Sequence, residues 1–435
     1  KIIIEHTKML LAGHYQFENV CYDQNIPLSS PLKRITILDS LRGFALLGVI
    51  IIHILQRFGV GVGSYEEELL RFPALDEVMQ WIGYNIVMGR FINIFALLFG
   101  LSFFIQMDRA AKKGIDFRGR FVWRMIILMV LGILCHSFYN VEIISVYAFF
   151  GLLMIPLYKV KKWVLLVLVS FLILGGPRLI QSINHNLKTA TEKLDTEEPN
   201  NFKRPREIPE HIANPSFINS TKYNYQERFL GKLRYQFSYF GRGYITFSLF
   251  LFGFFLGRIR FFEKLDLQKK INLKIFGGLL LATILLIALK NVLPPQNFRV
   301  FFRADGVILS SALLFAKALD DVSLVISSGA LTMGFILLYQ SKRIGQYLEA
   351  LSPYGRTGLS NYIIQGMLGC LLFSPWALGA IFNVLGAASL FFLGIIIYIV
   401  QAIMSKYWLK YFLYGPLEWL WRSLTYLEIQ NFRKK

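Results

Sequence analysis

The apolar residues of this chain arrive in long blocks separated by short polar segments. Charge-poor stretches recur at residues 36–55, 84–106, 121–138, 142–158, 163–180, 237–257, 274–293, 323–341, 357–377 and 381–404. Each is close to the roughly 20 residues that a helix needs to cross hydrocarbon. Residues 357–405 contain no Asp, Glu, Lys or Arg, which is too long for one crossing, so two helices share them and turn near Ser374, Pro375 and Trp376. The pattern predicts an all-α fold, a polytopic transmembrane helical bundle of about ten spans.

The polar segments set an orientation. Lys and Arg gather at Lys33 and Arg34, in 109–124, at Lys159, Lys161 and Lys162, in 258–274, at Lys342 and Arg343, and in the tail. All fall on one side if both termini are cytoplasmic. The division that follows is an N-terminal cytoplasmic segment (1–33), a first bundle half (34–180), an extracytoplasmic loop (181–236), a second half (237–414) and a C-terminal interfacial helix and tail (415–435). Segment 181–236 carries mixed charge and reads as a partly irregular loop, large enough for a lid or small subdomain. Counting 304–320 as a span would move the basic tail outside, so an interfacial or re-entrant helix is expected there. In "GPLEWLWRSLTY", residues 415–426, Pro416 opens a helix, Glu418 and Arg422 stand four residues apart, and Trp419 and Trp421 serve as interfacial anchors.

Composition agrees with the pattern: 55% of the 435 residues are hydrophobic. The formal charge of +20 suggests nucleic acid at first sight. Its placement between apolar blocks points instead to cytoplasmic loops and anionic headgroups, so membrane lipids and not nucleic acid are the expected partners. Cys21, Cys135 and Cys370 lie far apart and suggest neither a metal site nor a disulfide framework. Residues 1–33 lack the order of a signal peptide, so the first span is expected to be retained.

Polar residues inside spans carry the functional information, because a charge at mid-bilayer costs about 2.5–3.5 kcal/mol on insertion scales. On an ideal helix Asp39, Arg42 and His53 share an arc of about 60°, and Arg42 and His53 stand about 16 Å apart along the axis. That face should look into the bundle or a wet cavity. Asp39 and Arg42 form either an i,i+3 pair near the headgroups or part of a site. His53 is too deep for an anchor and can change protonation near neutral pH. His136, Glu142 and Arg90 gather towards the same outer level. A His with a nearby carboxylate suits general-base chemistry on a hydroxyl or amine, or else merely joins two helices. In "GRTGLSNYIIQ", residues 355–365, Asn361 and Gln365 lie one turn apart, with Arg356 at the cytoplasmic entrance. They are either interhelical glue or ligand contacts.

The segments "ILDSLRGFALLGVIIIH", "FINIFALLFGLSFFIQMDRA", "GILCHSFYNVEIISVYAFFGLL", "GRTGLSNYIIQ" and "GPLEWLWRSLTY" together resemble the YeiB-like family of bacterial membrane proteins, which carries the domain of unknown function 418. That family is similar, more distantly, to the transmembrane acyltransferase superfamily, including the acyltransferase-3 enzymes and the heparan-glucosaminide N-acetyltransferases. Acyltransferase-3 members carry an Arg in the first helix, ten further residues and then a His held to be catalytic, a spacing that Arg42 and His53 reproduce. Many YeiB-like proteins have Asn at the position of His53, Gly-Asp in place of Val141-Glu142, and Lys in place of Arg90.

The resemblance implies an integral-membrane acyltransferase of the bacterial plasma membrane. It would move an acyl group, acetyl above all, from cytoplasmic acetyl-CoA or another acyl-CoA to an extracytoplasmic hydroxyl or amine on a small-molecule or glycan acceptor. No metal is called for. His53, supported by Glu142 and His136, would be the base or transient acyl carrier. Asp39, Arg42, Arg90, Arg356, Asn361 and Gln365 are the candidates for holding donor or substrate. A transporter lining a solute or proton path with the same face, and a non-enzymatic scaffold, are the competing expectations.

Overall fold

The computed structural model describes residues 36–60, 72–192, 210–238, 241–294 and 309–434. The segment expected over 1–33 lies outside them, as do residues 304–308 of the expected interfacial piece. In chain order the helices are α1 (Thr36–Leu55), α2 (Pro73–Ile82), α3 (Arg90–Ala111), α4 (Arg118–His136), α5 (Ile144–Leu153), α6 (Lys162–Ile173) and α7 (Gly176–Glu192). There follow α8 (Glu210–Ala213), α9 (Phe217–Tyr223), α10 (Phe229–Phe237), α11 (Gly243–Arg258), α12 (Lys269–Val292) and α13 (Ser311–Tyr339). The last are α14 (Gly345–Glu349), α15 (Ser352–Arg356), α16 (Gly358–Phe373), α17 (Gly379–Phe382), α18 (Ala387–Tyr411) and α19 (Pro416–Tyr426). No strand occurs among the described residues, and an isolated antiparallel bridge joins Phe412 to Arg433.

Among the described residues, six helical stretches are long and apolar enough to cross a membrane: Thr36–Leu55, Pro73–Ala111, Arg118–His136, Leu265–Val292, Ser311–Tyr339 and Ala387–Tyr411. The second runs α2 into α3 through a π turn at Gly83–Val87. Helices α5, α11 and α16 are apolar but shorter. On α12 the large apolar residues Leu280, Leu281, Ile284 and Leu285 are all exposed, and Asn272 is its buried residue. Such a continuous apolar face has no place in water, and the chain is a multi-pass membrane protein.

Two expectations change, and a third segment gains detail. The 163–180 block is not one straight helix: Gly175, at φ +80°, separates α6 from α7 with a 49° bend, because its left-handed backbone is closed to most other residues. Segment 304–320 is not a separate re-entrant helix over its described part, since residues 311–320 run unbroken into the next span as α13, capped by the Ser310 hydroxyl on Leu313 N–H at 3.2 Å. Within 181–236, the described residues are helical for the most part: α7 continues to residue 192, and α8, α9 and α10 lie within 210–237.

Close backbone contact holds the bundle together. Gly100 on α3 and Gly253 on α11 face each other's helix so tightly that a Cβ would stand 1.8 Å from Phe250 O and 1.9 Å from Leu97 O. Gly355 of "GRTGLSNYIIQ" does the same against α1, 1.8 Å from Asp39 O. Small residues are the means by which apolar helices approach in lipid, where burial alone offers little drive. Pro416 starts α19 as expected, but Glu418 does not pair with Arg422. Its carboxylate accepts from Leu359 N–H at 2.6 Å, Ser360 N–H at 3.1 Å and Ser360 Oγ–H at 2.6 Å, capping α16. Burial pushes the Glu418 carboxyl upward in pKa, against these hydrogen bonds.

Gly100→Ala and Gly253→Ala should each force α3 from α11 and lower stability by about 1–3 kcal/mol. Gly277→Ala on α12, where a Cβ meets nothing within 4 Å, should leave stability unchanged or slightly raised. Unfolding titrations in mixed micelles measure the difference.

Candidate functional site

Asp39 and Arg42 lie on the first two turns of α1. Arg42 Nη1 donates to Asp39 Oδ1 at 2.9 Å and Nη2 to Ser102 Oγ on α3 at 2.6 Å. Asp39 is buried, and the Arg42 side chain keeps 27% of its surface exposed. The i,i+3 pair is therefore formed, and it also ties α1 to α3.

His53, on the last turn of α1, is half-buried. Its ring meets Phe58, Tyr139 and Tyr362 at centroid distances of 5.3, 6.2 and 6.3 Å, all edge-on. It makes no hydrogen bond to a described residue. The Tyr139 hydroxyl is buried close to that of Tyr362, which accepts from Ile143 N–H at 3.1 Å. The imidazole thus sits in an aromatic recess, its nitrogens uncommitted among the described residues.

His136 and Glu142 form a second constellation, and Lys232 from α10 stands between them. The ammonium donates to Glu142 Oε1, to Ser145 Oγ at 3.0 Å and to His136 Nδ1 at 3.3 Å. Ser145 in turn gives its N–H to Glu142 Oε2 at 3.0 Å and its hydroxyl to Oε1 at 2.5 Å. His136 Nε2 lies 2.9 Å from Asn224 O. A carbonyl only accepts, so Nε2 carries the proton and Nδ1 is left to accept from the ammonium, which fixes a neutral tautomer. The cluster is buried, charge-balanced and hydrogen-bonded at each ammonium proton.

The structure therefore does not bring His53 into hydrogen bonding with Glu142 or His136, as a base-orienter arrangement requires. The tyrosines 139 and 362 stand against His53, and the His136–Glu142 pair is bridged by a lysine. Sequence reasoning missed Lys232 because it lies ninety residues from its carboxylate in a segment read as loop. Tyr362 was within reach, in the middle of "GRTGLSNYIIQ".

The remaining candidates are placed as follows. Arg90, at the start of α3, donates through Nε to Ser327 Oγ at 3.0 Å and through Nη1 to Met88 O at 3.3 Å. Arg356 donates to Leu413 O at 3.3 Å, on the segment leading to α19. Asn361 donates to Thr357 Oγ1 at 2.8 Å and Ser405 Oγ at 3.0 Å, and Gln365 to the Tyr354 hydroxyl at 2.7 Å and Gln401 Oε1 at 3.2 Å. Both amides are buried glue between α16 and α18.

Fold and site together define a multi-pass helical membrane protein with polar clusters near the ends of its helices. Residues 256–428 match the family model described as "Protein of unknown function (DUF418)". The chain is similar to the "Uncharacterized 39.9 kDa protein in amylase 3'region" of Bacillus acidopullulyticus, 29% identical over 91% of this chain and 94% of that protein. It is 24% identical to "Uncharacterized protein YxaH" of Bacillus subtilis (strain 168), over 93% and 97% of the two chains. "Uncharacterized protein YeiB" of Escherichia coli (strain K12) is 37% identical over 76 residues, 18% of this chain and 19% of that one. These matches support a YeiB-like DUF418 family for the chain.

Removing one partner of the buried ion pair leaves the other charge uncompensated, at about 3–5 kcal/mol. Lys232→Met and Glu142→Gln should each destabilise by that order and expose 210–237 to limited proteolysis. The double variant should recover most of the loss, and a double-mutant cycle reads the coupling.

Proposed function

We propose that this protein is an acyltransferase of the bacterial plasma membrane that carries an acyl group, acetyl above all, from a cytoplasmic acyl-CoA to an extracytoplasmic hydroxyl or amine on a small-molecule or glycan acceptor, with membrane lipids around it. In this proposal the chain crosses the membrane ten times with both termini cytoplasmic. It is supported by the three shorter apolar helices and the bent α6–α7 pair, which supply further apolar segments in the positions that the hydropathy pattern sets.

The observation that carries the proposal is His53, a half-buried imidazole in an aromatic recess with no hydrogen bond to its nitrogens among the described residues. It lies eleven residues beyond Arg42 on one unbroken helix. The axial separation of about 16 Å suits a pantetheine arm, with the donor's phosphates at Arg42 and its thioester at His53. In the reaction an acceptor hydroxyl or amine attacks the thioester carbonyl while His53 takes its proton. The carbon–sulfur bond breaks, and the thiolate leaves with the proton that the imidazolium returns. The buried Tyr139 hydroxyl is suited to donate to the carbonyl oxygen as negative charge develops there. Glu142, His136 and Lys232 act as positioning residues, because they fix the start of α5 and, through Ile143 N–H, the Tyr362 hydroxyl.

Proteoliposomes supplied with labelled acetyl-CoA outside and candidate acceptors within should release coenzyme A and label the acceptor. His53→Ala should lose this by about 10²–10⁴-fold while keeping its unfolding midpoint, and Tyr139→Phe should lose less. Solute movement with no consumption of thioester would instead identify a transporter.

A further inference from the structure

Helix α19 lies against the first turns of α4, and two indoles fix the contact. Trp421 Nε1–H donates to Arg124 O at 2.9 Å, and Trp123 Nε1–H donates to Leu424 O at 2.9 Å. That register lays three guanidiniums on aromatic faces. Arg124 Cζ stands 3.5 Å over the Trp421 ring, while Arg120 and Arg422 share the Tyr426 ring at 5.0 and 5.3 Å from its centroid. Arg422 also faces Tyr414 at 5.1 Å. Arg120 and Arg124 are one turn apart on α4, so the three belong to one patch.

An aromatic face attracts a guanidinium through its quadrupole, but it does not take up the N–H donors along the edge of the fork. Those donors are little used here. Arg422 Nε reaches Gln430 Oε1 only at 3.5 Å, and Arg124 Nε is buried with no hydrogen-bond partner among the described residues. Arg120 is exposed. The carboxylates close by in sequence are committed, Asp116 to Arg118 and Glu418 to the cap of α16. Beside the patch runs an apolar track: Trp123, Ile126, Val130 and Leu134 are all exposed along about 16 Å of α4, on a face that borders Arg120.

We infer that Arg120, Arg124 and Arg422 form a binding site for the phosphate of an anionic phospholipid, whose acyl chain lies along Trp123, Ile126, Val130 and Leu134. A phosphate accepts from guanidinium edges while the rings keep the faces, so neither contact displaces the other. Tryptophan and tyrosine at the same level place the patch at headgroup depth, and the apolar track calls for a ligand with a tail, which a soluble anion lacks. The inference stands apart from acyl transfer, because none of these residues touches the recess around His53.

The test is the thermal-unfolding midpoint of the full chain in nanodiscs as phosphatidylglycerol replaces phosphatidylcholine. The wild type should gain stability and saturate. Arg120→Gln combined with Arg422→Gln should weaken the apparent affinity for phosphatidylglycerol about ten- to hundredfold. Lys269→Gln combined with Lys270→Gln removes as much charge at the exposed start of α12 and should keep the wild-type response. If the arginine pair does not fold without its charges, Arg120→Gln alone supplies the comparison. In phosphatidylcholine discs, inorganic phosphate should act no differently from chloride at equal ionic strength. No gain from phosphatidylglycerol, an equal gain in the arginine and lysine variants, or a gain from inorganic phosphate alone overturns the site.

Discussion

The buried contact of Lys232 with Glu142 fixes how the polar end of this bundle is built. An ammonium and a carboxylate withdrawn from water are tolerable only if their remaining hydrogen-bonding capacity is met. Here Ser145, its backbone amide and His136 meet it. Each of these belongs to a different constraint. Ser145 lies in the first turn of α5, against Gly132 of α4, where a Cβ would stand 2.5 Å from Ser145 N. His136 closes α4 and reaches the backbone at Asn224. One ion pair therefore registers α4, α5 and α10 together, and with them the tyrosines beside His53.

The wall on the other side of His53 is made by a different device. Tyr354 donates to Gln401, Gln365 donates to Tyr354, and Asn361 bridges Thr357 and Ser405, so α15, α16 and α18 share uncharged hydrogen bonds. Gly355 brings α15 into backbone contact with α1, and Glu418 caps α16 from α19. Neutral amides cost less than ions to bury and still leave few alternative registers. The recess around His53 is thereby enclosed between an ionic seam and an amide seam.

What the chain's pattern made legible follows from how far each interaction reaches along it. The Asp39–Arg42 pair, the start of α19 at Pro416 and the gluing role of Asn361 and Gln365 are local, at spacings that helix geometry dictates. The continuity of α13 was hidden because orientation was read from the basic segments, which a span over 304–320 would have moved outside. Within the helix Asp320 is met by Lys290, and Asp321 by Lys317 and by Arg178, partners partly distant in sequence. The bend at Gly175 left little trace in hydropathy because both sides are apolar at first. The mixed charge of 181–236 suggested irregular chain, yet one of its lysines completes a buried cluster, and composition cannot distinguish that lysine from a solvated one.

The position of Arg42 limits any account of donor binding. Its guanidinium already holds Asp39 and Ser102, and Ser102 itself donates to Leu98 O within α3. An anion arriving at Arg42 must therefore displace a carboxylate or share the fork with it. Asp39 is buried, so displacement leaves its charge to be met by some other group. Sharing is the less costly course, because the partly exposed guanidinium then keeps its pair with Asp39. In that arrangement Asp39 is a holder of the arginine rather than a rival of the donor. The α1–α3 seam that Arg42 pins would then feel the arrival of the proposed donor, linking one end of α1 to the end that carries His53.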